Sequence, residues 1–459
     1  MPDRHAAIRT ASEALASGAF QRRLADLVSV PTVSTAAACG PVMRHYLAEL
    51  LAPDLHDLGF VCTVLDNPAA TDLPFLLAER IEDPGFQTVL IYGHGDVVAG
   101  GEGWSDGLAP FRLARAHGRL YGRGTADNKG QHSVNVAALR AVLEVRGSLG
   151  FNCRLLIETG EERGSPGLAQ LLHEWADRLS ADVLIASDGP RLEIGRPTIY
   201  LGARGSLRFM LHVATHDRPH HSGHWGGLLT DPAIRLAHAL ASLTDATGSL
   251  LVPEWRPESL TDEVRHAIAD CGVGDVQDLI DPHWGEPGLT PAERVFGWNS
   301  LTILAQASGD ISAPVAAISA SARAVCQLRF VVGTDAEDIV PALRRHLEAA
   351  GLADVQVQEV AGSLSPATRL AADSPWVHLA AASITRTLGT APAILPNIGG
   401  SIPNHVFAHI ARLPTIWIPH SYRGCGQHAA DEHLDLSIAA QGLQLMAGLF
   451  WDIGSAGRS

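Results

Sequence analysis

The sequence lacks several features that would define its class at once. Its six cysteines are widely spaced and never form a Cys-x-x-Cys pair, which excludes a zinc ribbon or a thioredoxin-like motif. No stretch approaches the ~18 consecutive apolar residues of a membrane span. No cluster of basic residues is larger than an isolated pair and the formal net charge is −15, which disfavours a nucleic-acid partner. The N-terminal region has no apolar core of signal-peptide length. We therefore expect a cytoplasmic protein with reduced cysteines and no membrane contact.

The overall composition is that of an ordinary globular protein. The chain has 459 residues, of which 46% are hydrophobic and 18% charged, and this composition argues against extensive disorder. A chain of this length exceeds one ordinary core, so two domains are expected.

The central feature is an apolar run from Thr88 to Tyr92, which ends at Gly93 and is followed by His94 and Asp96. Such a run predicts a buried strand of a parallel sheet, and open α/β sheets build their sites at the carboxyl ends of such strands. An imidazole beside a carboxylate suits a divalent metal ion, with the aspartate holding the histidine tautomer. Alone, such a pair is more often a chance occurrence in a turn than a metal site.

Further acidic residues follow two later predicted strands. Glu161 and Glu162 come after the next strand, and Asp188 stands at the end of the one after it. Asp127 precedes a predicted helix, where an ordinary N-cap and a metal ligand are both compatible. Because three strand ends deliver these groups to one sheet edge, the sequence predicts a metal site there.

The pattern changes beyond Gly202. Strands and helices alternate around a segment without clear period at residues 250–300, which indicates a small α+β domain of ferredoxin-like type inserted into the first domain. The predicted segments are 1–203 for the first part of the metal-binding domain, 204–362 for the insertion and 363–459 for the second part.

Five segments occur in a fixed order along the chain. They are Tyr-Gly-His-Gly-Asp-Val-Val (92–98), Leu-Tyr-Gly-Arg-Gly-Thr-Ala-Asp-Asn-Lys-Gly (120–130), Gly-Glu-Glu (160–162), Ser-Asp-Gly (187–189) and His-Ala-Ala-Asp-Glu-His (428–433). Together they resemble the co-catalytic di-zinc family of aminoacylases, carnosinase-type dipeptidases, glutamate carboxypeptidases and succinyl-diaminopimelate desuccinylases. The resemblance implies an α/β fold with a zinc-peptidase-like mixed sheet flanked by helices, and an inserted α+β lid or dimerisation domain.

The resemblance also implies the ligands of two divalent ions, most simply zinc, with manganese or cobalt as alternatives. One ion would be held by His94 and Asp188 and the other by Glu162 and His428, with Asp127 bridging them.

Two further roles and one choice of ligand follow from the same resemblance. Asp96 would orient His94, and Glu161 would be the general base that forms a metal-bridging hydroxide. His428 is preferred to His433 because the ligand histidine of the family lies four residues before a glutamate, here Glu432. His420 remains a candidate pocket residue.

Substrate-binding residues are implied in the inserted domain. His221 matches a histidine that reaches the active site of the other subunit in a homodimer, although His220 and His224 compete for that role. Arg329 matches an arginine that pairs with a substrate carboxylate, and Gly400 and Ser401 match a loop that offers donors to it.

These implications predict a di-metal hydrolase that cleaves an amide bond next to a free carboxylate. Dipeptidase or carboxypeptidase activity is the first expectation, and hydrolysis of N-acyl amino acids, as in aminoacylases or desuccinylases, is the alternative. A noncatalytic metal-binding, oligomeric module with the same fold is the hypothesis from another class.

Overall fold

The structure is a computed structural model that describes residues 3–269, 271–274 and 279–456. The chain divides into two compact units, the first comprising Met1–Gly202, Leu370–Leu395 and Ile402–Ser459, and the second comprising Ala203–Arg369 and Pro396–Ser401. Parts of the predicted segments, including positions 270 and 275–278, lie outside the described residues.

The second unit extends past the boundary that the sequence predicts at 362. The N–H of Ser365 donates to the carbonyl of Ser206, and the Thr368 hydroxyl accepts a hydrogen bond from the N–H of Ala203. Ile398 forms an isolated bridge with Ala203. These contacts join residues 363–369, and the more distant residues 396–401, to the second unit.

The first unit is built on strands that run along most of the chain. They are β1 (Val61–Leu65), β2 (Phe75–Arg80), β3 (Thr88–His94), β4 (Ala114–Ala116), β5 (Arg119–Tyr121), β6 (Asn152–Glu158), β7 (Val183–Ala186), β8 (Pro190–Arg191), β9 (Thr198–Tyr200), β16 (Ala393–Leu395), β17 (Thr415–Trp417), β18 (Ser421–Tyr422) and β19 (His433–Asp435), with β10 to β15 in the second unit. Eight of them form a mixed sheet in the order β1-β2-β6-β3-β7-β17-β9-β16. A separate three-stranded sheet has the order β19-β5-β4.

Helices flank the mixed sheet and complete the core of the first unit. They are α1 (Arg4–Ala16), α2 (Ala19–Ser29), α3 (Gly40–His45), α4 (Ala52–His56), α5 (Lys129–Arg146), α6 (Leu168–Glu174), α7 (Ala176–Leu179), α13 (Pro375–Leu388) and α14 (Leu436–Ala456), with α8 to α12 in the second unit. Helix α14 packs against α1, α5 and α13. The mixed α/β fold with a central sheet between helices is therefore confirmed.

Two helices differ from the sequence prediction. Helical periodicity predicts one amphipathic helix over residues 5–29, but the structure interrupts it at Gly18, whose φ of 74° lies in the left-handed region that ends a helix. The sequence also predicts a helix over about 40–58, which contains a π-helical segment at Tyr46–Leu51, between α3 and α4.

The second unit has the connectivity of a ferredoxin-like fold. Its strands are β10 (Gly205–Ala214), β11 (His220–His221), β12 (Ser300–Ala307), β13 (Ala317–Ile318), β14 (Ser321–Phe330) and β15 (Gln356–Glu359). Its helices are α8 (Ser222–Trp225), α9 (Pro232–Leu243), α10 (Asp262–Ala269), α11 (Pro291–Phe296) and α12 (Ile339–Ala349). The antiparallel sheet β12-β14-β10-β15, with α9 following β10 and α12 following β14, gives the β-α-β-β-α-β pattern. The sequence did not predict β12, because it adjoins the segment without clear period.

Two other features bear on the class of protein. All six cysteines are free thiols. None of the helices in the described ranges combines the length and the apolar content that crossing a bilayer requires.

Candidate metal centre

Adjacent parallel strands bring the predicted ligands to one sheet edge. Strand β3 pairs in parallel with β6 on one side and with β7 on the other, so their carboxyl ends meet. His94 is the last residue of β3, and Asp188 follows β7 by two residues. Glu161 and Glu162 lie on a 3₁₀ turn that begins three residues after β6 ends. Buried strands therefore fix the positions from which these side chains project.

One group of potential ligands consists of His94, Asp127 and Asp188. His94 Nε2 lies 3.0 Å from Asp127 Oδ1 and 3.6 Å from Asp188 Oδ2, and the histidine is fully buried. An imidazole and two carboxylates at such separations are a donor set that suits zinc or a similar divalent ion.

A second group consists of Asp127, Glu162 and His428. His428 Nε2 lies 3.1 Å from Asp127 Oδ2 and 3.1 Å from Glu162 Oε2. Asp127 thus presents one oxygen to each group. Glu162 Oε1 is buried and has no hydrogen-bond partner within the described part of the chain, as expected of an oxygen whose partner is an ion. The residues of both groups fit two metal ions that share Asp127.

Asp96 connects the first group to the Glu161–Glu162 turn. His94 Nδ1 is 3.1 Å from the backbone oxygen of Asp96 and 3.4 Å from its Oδ1. The two carboxylate oxygens of Asp96 accept the backbone N–H groups of Glu161 and Glu162, each at 3.1 Å. Among the described residues, the Glu161 carboxylate belongs to neither group of ligands.

Burial and mutual repulsion shift the ionisation of this cluster. Burial raises the pKa of Glu161 well above its ordinary value and that of Asp188 to about 7, and the neighbouring carboxylates add to both shifts. Hydrogen bonds to Asp127 and Glu162 raise the pKa of His428 to about 10. Burial opposes ionisation of Asp127, but hydrogen bonds from His428 and His94 hold its pKa below its usual range. Because the carboxylates repel one another, bound cations would stabilise their ionised forms.

Side chains that the sequence did not single out hold the loop around Asp127. The peptide bond between Asp127 and Asn128 is cis. Asn128 Nδ2 donates to the Ser187 carbonyl at 2.8 Å, and Asn128 Oδ1 accepts the N–H of His94 at 3.4 Å. Glu432 accepts hydrogen bonds from the backbone of the same loop. In the sequence, Asn128 and Glu432 could have been noticed because they lie inside two of the five segments that carry the family resemblance.

The other candidate histidines of the first unit have structural partners. His433 Nε2 lies 2.8 Å from the Tyr422 hydroxyl, and its Nδ1 lies 2.8 Å from the Asp431 carbonyl. His420 is fully buried with Nε2 3.1 Å from Ser187 Oγ, and its role as a pocket residue stays a prediction.

The substrate-binding candidates lie in the second unit. Arg329, on β14, donates from Nη1 to Ser401 Oγ at 3.3 Å, and Gly400 precedes that serine. His221 is exposed on β11, its Nδ1 accepts the N–H of Gly223 at 3.1 Å, and its ring centre is 4.6 Å from that of His224. The structure thus brings Arg329 and Ser401 together and places His221 on a separate two-stranded sheet with β13.

Comparison with known proteins identifies the family. Residues 90–452 match the peptidase family M20/M25/M40, which covers most of the chain. The chain belongs to this family. It is a metal-dependent hydrolase of the metallopeptidase class.

Curated relatives and solved structures agree with this assignment. The human Beta-Ala-His dipeptidase is 28% identical over 83% of this chain and 77% of its own length. The Cys-Gly metallodipeptidase dug1 of Schizosaccharomyces pombe is 26% identical over 95% of this chain and 96% of its own. The crystal structure of human carnosine dipeptidase 1 superposes with a TM-score of 0.78 at 24% identity, covering 98% of this chain and 99% of that one. The fold of this M20 family member is thus shared over nearly its whole length.

Proposed function

We propose that this M20 family member is a dipeptidase that acts with two divalent metal ions, most simply zinc, with manganese or cobalt as alternatives. The observation that carries the proposal is the pair of three-residue ligand groups that share Asp127. The names of the curated relatives, which include Beta-Ala-His and Cys-Gly dipeptidases, support the substrate class. Hydrolysis of N-acyl amino acids is less favoured, since these relatives are named as dipeptidases.

Different residues of the chain have different roles in the proposed hydrolysis. Two bound ions would lower the pKa of a water toward ~7 and polarise the carbonyl of the scissile amide. Glu161, which stands outside both ligand groups, takes a proton from the attacking water and delivers it to the leaving amine. Asp96 fixes the Glu161 backbone and the His94 ring, so that base and ligand keep one relative position.

Recognition of the substrate carboxylate is proposed for the second unit. The Arg329 guanidinium can pair with a carboxylate as a two-pronged donor. Ser401 lies against it and offers a hydroxyl, and Gly400 adds a backbone amide. A free carboxylate beside the cleaved bond is what distinguishes a dipeptide from an internal position in a protein.

We further propose a homodimer in which His221 reaches the metal centre of the partner subunit. In the described ranges, the outer strand β12 of the second unit pairs on one edge only, and its Ile303 and Leu304 are about half exposed, at 47% and 48%. The loop before β13 exposes Ile311 and Val315. An apolar edge strand of this kind favours pairing with a second copy.

The test is release of free amine from a panel of dipeptides, N-acetyl amino acids and N-succinyl amino acids, with zinc or manganese added. We expect dipeptide turnover that disappears in a chelator and in Glu161→Gln, while that variant keeps the metal content of the wild type. Turnover confined to N-acylated substrates would move the protein to the alternative. Full activity of Glu161→Gln would reject Glu161 as the base, and binding of two ions without turnover would favour the noncatalytic module.

A further inference from the structure

Glu432 is a fully buried carboxylate whose role the proposed reaction does not explain. Its Oε2 accepts a hydrogen bond from Arg123 Nη1 at 2.6 Å. Its Oε1 accepts three backbone N–H groups, from Gly124 at 3.0 Å, Ala126 at 3.0 Å and Asp127 at 3.1 Å. One oxygen that accepts three donors gains most from full negative charge, because charge-assisted hydrogen bonds are the strong ones.

Further hydrogen bonds connect Glu432 and its neighbours Asp431 and Arg123 to other loops. The Glu432 carbonyl accepts the N–H of Gly122 at 2.9 Å. The neighbouring Asp431 accepts the N–H of Ser105 at 2.9 Å and its hydroxyl at 2.5 Å. Arg123 Nη2 donates to the Gly100 carbonyl at 3.3 Å. These bonds connect the glycine-rich loop after residue 99, the loop before Asp127 and the segment that begins at His428.

Two ligands of one ion therefore depend on the same carboxylate. Asp127 is held through its own N–H, and His428 lies four residues before Glu432 on a segment whose backbone is unusual, with φ of 61° at His428. A non-glycine residue with positive φ keeps that conformation only when surrounding contacts impose it.

We propose that Glu432 is a positioning residue that fixes Asp127 relative to His428, and thereby sets the affinity of the ion held by Asp127, Glu162 and His428. This inference rests on the proposed two-ion site. The ion held by His94, Asp127 and Asp188 shares Asp127 but depends less on Glu432, because its other two ligands are fixed by β3 and β7 within the parallel sheet. The effect of losing Glu432 is therefore unequal at the two ions.

The test is calorimetric titration of chelator-stripped full-length protein with zinc. The variant is Glu432→Gln, which keeps the shape of the side chain and removes its charge. The matched control is Asp452→Asn, which neutralises a largely buried carboxylate of the same unit that pairs with Arg4 at 3.0 Å, far along α14 from the ligands. The melting temperature of each stripped protein is recorded in parallel.

We expect the wild type and Asp452→Asn to bind two zinc ions alike. In Glu432→Gln one site should keep its affinity within about threefold, while the other weakens about 10- to 100-fold, the range found for groups that orient metal ligands. If Glu432 had a purely structural role, Glu432→Gln would lower the melting temperature and would weaken both zinc sites by the same factor or leave both unchanged. Either of these two binding results overturns the inference.

A second variant covers the case in which Glu432→Gln does not fold. Arg123→Gln removes the cation that accompanies Glu432 and leaves its three amide contacts in place. The same site should weaken selectively, and equal affinities in this variant and the wild type would contradict the proposal. If the wild type itself binds no zinc, the proposed two-ion site is wrong. If the wild type and Glu432→Gln both bind two zinc ions with normal affinity, only the role of Glu432 is wrong.

Discussion

His132 shows at the scale of one residue how burial sets a protonation state. It lies on α5 and is almost fully buried, with its Cβ close against Gly93, the residue before the proposed ligand His94. The Tyr46 hydroxyl, in the π-helical segment, is 3.0 Å from His132 Nε2. Burial, together with the nearby charge of His94, lowers the pKa of His132 to about 3. The folded protein therefore holds this imidazole neutral at any ordinary pH.

We predict that His132 makes the protein sensitive to acid. In the unfolded chain His132 binds a proton below its ordinary pKa of 6.5, whereas in the folded chain it does so only below about pH 3. The free energy of unfolding therefore falls as the pH drops from 6.5 toward 3. His132→Gln, which stays neutral, should lose less stability between pH 6.5 and 4, with a difference of about 1.4 kcal/mol per pH unit at most. Urea unfolding of both metal-stripped proteins across this range measures it, and parallel curves would contradict it.

Three of the proposed ligands, His94, Glu162 and Asp188, could be predicted because they stand at or shortly after the ends of strongly apolar runs. His94 and Asp188 follow strands that any hydrophobicity pattern identifies, and parallel pairing then brings them together. Glu432 could be noticed only as a marker four residues after His428. Its partners are mostly backbone amides, and the sequence does not reveal which loop will turn its N–H groups toward a carboxylate.

Helix α5 links two elements of the metal centre, since it begins just after Asp127 and packs on β3. A glycine lies at each end of the helix, Gly130 in its first turn and Gly147 directly after its last residue. A Cβ at Gly130 would lie 1.9 Å from the Thr125 carbonyl oxygen, in the loop that carries Asp127. Gly147 ends the helix with φ of 77°, and a Cβ there would meet nothing within 4 Å. Gly130 therefore serves close packing, whereas Gly147 serves a left-handed turn.

We predict that alanine at these two positions has separable effects. Gly130→Ala should push the Thr125–Asp127 loop away, costing about 1–3 kcal/mol as overpacking does, and should reduce bound metal. Gly147→Ala should cost about 1–2 kcal/mol through its backbone conformation alone and leave metal content unchanged. Thermal unfolding combined with metal analysis of the purified proteins tests this, and normal metal content in Gly130→Ala would refute the packing argument.

The elements that the sequence did not predict share a physical cause. Strand β12 has apolar residues on an exposed edge, so its pattern lacks the alternation of a half-buried strand. The break at Gly18 interrupts a helical pattern whose apolar face continues on α2 through Phe20, Leu24 and Leu27. Periodicity reports which face is buried, and a single left-handed residue changes the path of the chain without changing that pattern.

At the scale of the whole molecule, the proposed trans action of His221 makes the dimer part of the site. His221 is exposed and its Nδ1 accepts the N–H of Gly223; among the described residues its Nε2 has no hydrogen-bond partner and is therefore available to a substrate or a partner. In a two-fold dimer each subunit would supply this side chain to the other. Each centre would then require Glu161 from one chain and His221 from its partner.

Mixed dimers test this arrangement directly. We expect His221→Ala and Glu161→Gln each to lose most dipeptide turnover alone while keeping bound metal. In protein made by co-expression at equal levels, half of the dimers carry one variant of each kind, and each mixed dimer has one centre with both groups intact if His221 acts in trans. The mixture should therefore recover about a quarter of wild-type turnover. If His221 acts within its own chain, every centre lacks one group and no recovery occurs, whereas a monomer in light scattering would remove the basis of the proposal.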